Sequence, residues 1–161
     1  MEKESDLENL KKDYKKIQEK HNLPGFEELN KDFQIEKVAE VKTDFLIREI
    51  RKFMADKFSN YLRFIDAFLH PVNTPMFIFS IIKSTGVEEK KKLIDIYKKL
   101  VKIEVRLIEL DINFFEEKEA EFIKESYEVW KEIKKDMLEI IEVIKKNWDN
   151  KSEVNEKGYF G

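Results

Sequence analysis

The stretch from Val87 to Ile112 constrains the fold more than any other. It holds no proline or glycine, and its apolar residues recur at helical spacing. Leu93, Ile96, Leu100, Ile103, Leu107 and Leu110 fall on one heptad-spaced face. Ile94, Val101, Val105, Ile108 and Ile112 fall on a second face beside it. Together they span an arc of roughly 220°, against about 100° for an ordinary surface helix. Asp95, Lys98, Lys99, Lys102, Arg106 and Glu109 leave only a narrow stripe for water. A helix this apolar needs cover on two sides, so it is expected to be the centre of a bundle.

The rest of the chain reads as further helices. Leu7, Leu10, Tyr14, Ile17 and His21 form a thin stripe over residues 2–21, the narrow seam of a peripheral helix. Asn22-Leu23-Pro24-Gly25 stops it, and Phe26 to Phe33 reads as a short helix anchored by Phe26, Leu29 and Phe33. The next helix starts at Ile35, or restarts with Thr43 as a cap, and runs to Leu69 ahead of Pro71. Thr74-Pro75 predicts a capped start for a short helix that ends at Thr85, before Gly86. After a break at Asn113-Phe114, a last helix spans Glu116 to about Trp148. The expected fold is all-α: an antiparallel bundle of three long helices with short linking helices. Residues 1–148 are read as one domain, with 1–22 as its peripheral helix, and 149–161 as a flexible polar tail.

Composition narrows the functions. The chain has 31 basic and 34 acidic residues and a net charge of -3, whereas a dedicated nucleic-acid binder carries a basic excess. It has no cysteine, so there is no disulfide and no thiolate metal site, which fits a cytoplasmic protein. The polar start Met1 to Asp6 does not read as a signal peptide, and the apolar run Met76 to Ile82 is too short to span a bilayer. No membrane association is expected.

Four charges break otherwise apolar arcs: Lys57, Glu104, Asp111 and Lys134. Charges leave water at high cost unless paired. An up-and-down arrangement puts Lys57 level with Leu100 to Glu104, so Lys57 and Glu104 are expected to pair inside the bundle. Lys134 falls too far along to reach Asp111. Such residues form either a polar pocket or a structural pair, and the structural pair is preferred.

Other chemistry finds little support. A di-metal bundle site needs two Glu-x-x-His motifs, and neither His21 nor His70 has an acid three residues before it. Glu125/Glu128 and Glu139/Glu142 have the spacing of a magnesium-dependent hydrolase, but both lie on one helix and mostly on its wet side. Glycines at 25, 86, 158 and 161 alone make no phosphate loop. Lys11, Lys12, Lys15 and Lys16, and Lys90 to Lys92, are read first as solubilising faces. No metal, cofactor or catalytic residue is assigned.

Two features look like partner binding. The 75–85 helix is apolar nearly all round, with Phe77, Phe79 and Ile82 expected either to plug one end of the bundle or to dock a partner. Tyr159 and Phe160 end a polar stretch in the manner of a partner anchor. The preferred reading is a non-enzymatic scaffold or adaptor that binds a protein partner or itself. A nucleic-acid- or ribosome-associated protein using lysine patches, and a magnesium-dependent hydrolase with an interior acidic site, are the alternatives.

Overall fold

The computed structural model describes residues 2–73 and 75–158, with side chains described for 5–73 and 75–150. The expected cap at Thr74 lies outside them. The elements are α1 (Glu2–His21), α2 (Phe26–Phe33), a 3₁₀ helix (Ile35–Glu40), α3 (Leu46–Leu69), α4 (Met76–Lys83), α5 (Val87–Ile112) and α6 (Glu116–Gly158). The protein is all-α, and no strand occurs among the described residues. Of the two starts open to α3 the restart is the one found, at Leu46; α4 ends at Lys83 rather than Thr85, and α6 runs to Gly158 instead of stopping near Trp148.

Local chemistry accounts for most of these ends. Asn22 takes the left-handed conformation after α1 (φ 55°), a position that asparagine tolerates better than most residues. Gly25 opens α2, and its N–H donates to the Glu28 carboxylate at 2.9 Å, as in a capping box. Gln34, also left-handed, turns the chain from α2 into the 3₁₀ helix. Thr43 Oγ1 accepts the Phe45 N–H at 3.0 Å, and the Phe45 carbonyl then receives the first helical N–H groups of α3. Gly86 works differently from its expected role. Ser84 and Thr85 hydroxyls donate to the Ser80 and Ile81 carbonyls and so close α4, while the Gly86 carbonyl accepts Lys90 N–H at 3.1 Å and opens α5.

The contacts divide the chain into two compact units. The first is Met1–Asn60 with Lys102–Val129, and the second Tyr61–Val101 with Trp130–Gly161. In the first, α1 packs on α2 and the 3₁₀ helix. Leu10 and Tyr14 are its buried residues. The Tyr14 hydroxyl donates to the Pro24 carbonyl at 2.6 Å, and its ring meets Phe26 edge-on at 5.4 Å. Burial, with Glu28 nearby, pushes the Tyr14 phenol well above its ordinary range. Below these lie Leu29, Phe33, Ile35, Ile50, Met54, Phe58, Phe122 and Ile123, all buried. In the second unit Ile65, Phe68, Leu93, Ile96, Leu100, Trp130, Ile133, Met137 and Ile140 are buried.

Ion pairs fix helix direction within each unit. In the second, Lys92 meets Glu139 (2.6 Å) and Lys99 meets Glu132 (2.8 Å), so numbers rise along α5 as they fall along α6. In the first, Arg106 pairs with Glu125, and Glu109 with Lys118 (2.9 Å), in the same antiparallel sense.

The two-sided cover expected for α5 is absent. Its first face is buried from Leu93 to Leu110, but Ile94, Val105, Ile108 and Ile112 on the second are exposed. Of the second face Val101 alone is half-buried, so the core rests mainly on the first.

The end of α1 is tied down by charge. Lys20 Nζ and His21 Nε2 lie 2.9 and 2.7 Å from the same Glu116 oxygen, at the first residue of α6. Hydrogen bonds from Lys20 and His21 hold the Glu116 carboxyl below its ordinary 4.5. A carboxyl depressed by folding stabilises above its unfolded value and loses that contribution as pH falls through its folded value. Of the described α1 side chains only Leu10 and Tyr14 are buried, so amide exchange should show residues 5–20 less protected than 95–110 at neutral pH. Protection of 5–20, corrected for intrinsic rates, should fall first on acidification below about pH 4.5. Protection of 5–20 that stays unchanged on acidification would contradict this tether.

Candidate functional site

The interior charges do not pair as the sequence suggested. Lys57 donates to the Asp32 carbonyl and lies 5.5 Å from the centre of the Phe33 ring. Glu104 instead accepts from the Ser59 hydroxyl at 3.0 Å. The expected level was close, because Ser59 sits two residues from Lys57. The face was wrong, because two residues are about 200° of helical rotation. Asp111 is exposed rather than interior, and Lys134 is half-buried in the second unit.

A different pair holds the buried position in the first unit. Arg51 Nε lies 2.8 Å from Glu119 Oε2, and Arg51 Nη2 lies 2.9 Å from Asp111 Oδ1. Arg51 is 2% exposed and Glu119 0%. Burial works against the Arg51 charge, but Glu119 and then Asp111 more than offset it and raise its pKa. The signal was present in a strict alternation of threes and fours. Ile47, Arg51, Met54, Phe58, Tyr61, Ile65 and Phe68 form one such series on α3. Glu119, Ile123, Ser126, Trp130, Ile133, Met137 and Ile140 form another on α6. Arg51 and Glu119 occupy core positions of those series. With Arg51 and Glu119 matched, the arrangement is a structural link between helices.

The hydrolase carboxylates are also engaged. Glu125 is held by Arg106, Glu139 by Lys92 and Glu142 by Lys145. Among the described residues no cluster of three or more His, Asp or Glu is close enough to hold a metal ion. Of the first lysine patch, Lys11 meets Glu27 and Lys16 meets Asp13. Of the second, Lys91 meets Glu88. His70 pairs with Asp66 at 3.0 Å, just past the end of α3.

What remains is an apolar surface in the second unit. Helix α4 turns Ile78 inward, with Ile81 and Ile82 half-buried, while Met76 (80% exposed) and Phe77 (61%) face out. Phe79 is exposed as well. The expectation that Phe77 and Phe79 plug a bundle end is corrected here, since one helix of eight residues cannot bury every side. Tyr159 and Phe160 lie outside the described residues. Asn147 Nδ2 donates to the Ser84 carbonyl at 2.6 Å and fixes α6 against the end of α4. Between them opens a groove of about 550 Å³, lined by Phe77, Ile81, Ile144, Lys145, Trp148 and Asp149. Ile144 also borders a second cavity of about 270 Å³, whose lining is apolar throughout: Tyr61, Phe64, Phe68, Leu93, Met137, Ile140 and Ile141. Sequence reasoning found Phe77 but missed Ile144 and Trp148 as its companions.

No protein-family model matches this chain, and neither does any curated protein or solved structure.

The Arg51–Glu119 link has a measurable signature. Arg51→Met or Glu119→Leu alone should each lower stability by about 3–5 kcal/mol, since the surviving charge is left buried. The double replacement should be near neutral or stabilising. Denaturant titration of the four proteins checks this, and additive losses would contradict it.

Proposed function

We propose that the protein is a non-catalytic helical adaptor that binds a protein partner or a second copy of itself through the α4–α6 groove. The observation that carries this reading is the outward face of α4, where Met76 is exposed and Phe77 stays in water beside Trp148. Soluble domains seldom leave contiguous large apolar side chains uncovered without a use for them. Phe77 and Ile81 on α4, and Ile144 and Trp148 on α6, each stand one turn apart, the spacing that receives a docked helix. Aromatic anchors in a groove of this kind carry most of an interface's energy. A cytoplasmic setting suits a chain without cysteine. No helix among the described residues is long and apolar enough to cross a membrane. The nucleic-acid alternative draws less support, because lysines of both patches are already matched by carboxylates.

Phe77→Glu and Trp148→Glu should fold normally, each within about 0.5 kcal/mol of the parent, since both side chains are exposed. Ile78→Ala should cost about 2–5 kcal/mol, because that side chain is the one α4 buries. Affinity capture with mass spectrometry should show the two groove variants losing bound protein that the parent retains. Unchanged capture by both would remove the groove from the function.

A further inference from the structure

The first unit carries an apolar face as uncovered as the groove of the second. Val105 (62% exposed), Ile108 and Ile112 (81% exposed) lie on α5 at i, i+3 and i+7, a row about 10 Å long. These are the anchor positions by which one helix seats in a groove made by others. The row is flanked by Glu104 and Asp111 on one side and Glu109 on the other. The two units also differ in charge. The first holds 17 basic and 23 acidic residues, a net charge of -6, and the second 14 and 11, a net charge of +3. Lys145, which meets Glu142, and Asp149 line the groove, with Lys146 beside Lys145 on α6 and Lys83 at the end of α4, so the complementarity lies in the net charges of the units.

From this complementarity we infer that the occupant of the α4–α6 groove is the Val105–Ile108–Ile112 row of a second copy of this chain. The inference rests on the adaptor reading and names the partner. The contact joins two different patches, so each copy has one of each to offer. Such a head-to-tail interface closes only if its rotation closes, and otherwise propagates. Attraction between an acidic unit and a basic one is screened by salt.

The test uses the full chain and two surface variants, Ile108→Lys for the row and Phe77→Glu for the groove, with circular dichroism to establish that each is folded. In low salt, sedimentation should show the parent growing with concentration to twice its 19.5 kDa if the contact closes on two copies, and past it otherwise. Each variant alone should stay at monomer mass. Mixed, they should form one complex of about 39 kDa and nothing larger, twice 19.5 kDa, because the row of one and the groove of the other remain intact. A monomeric parent, a mixture that stays monomeric, or a Phe77→Glu variant that still dimerises would each overturn the inference. A monomeric parent whose groove still captures another protein leaves the adaptor reading standing. Capture that ignores the groove removes the adaptor reading itself.

Discussion

One buried ion pair joins the long helices of the first unit. Arg51 and Glu119 stand where the heptad pattern calls for apolar side chains, and Asp111 closes the set from α5. Three long helices are thereby joined at one point by atoms that must meet within hydrogen-bond distance. Apolar packing alone tolerates small slips, because dispersion contacts can be exchanged for neighbouring ones. A guanidinium fork facing a carboxylate does not tolerate them. The pair thus sets how far α3, α5 and α6 extend past one another locally, and the salt links between α5 and α6 hold the same antiparallel sense.

Much of this was legible in the residues. Every helix was visible in its period and punctuation, and α1, α2 and α5 have the limits their sequences imply. Direction around the helix was harder to read than level along it. Lys57 was placed near the height of Glu104, yet its side chain leaves α3 on the side of Phe33. The apolar arc of α5 was measured correctly but assigned wholly to the core. Periodicity records which residues share a face, whereas the number of neighbours decides how many faces are covered. The same gap explains α4. Its composition says that water is a poor environment for it, and only the fold says that Ile78 rather than Phe77 escapes.

The groove escaped the sequence for a related reason. Ile144 continues the core series of α6 and Trp148 stands one turn beyond it, so periodicity alone files them with Trp130 and Met137. They become surface only because α4 is short and leaves them uncovered on one side. A cluster assembled from α4 and the far part of α6 has no linear signature, since some sixty residues separate its halves.

The pairing of α5 with α6 in the second unit repeats every seven residues on both helices, Lys92 to Lys99 against Glu139 to Glu132. This gives the chain a grammar for changes in length. One residue inserted into α6 between Glu132 and Glu139 would turn one carboxylate about 100° from its lysine, whereas seven added to both helices would keep their facing sides together. Relatives of this chain that differ in length should carry their differences in the segments at 41–45 and 70–75, or as whole heptads within the long helices.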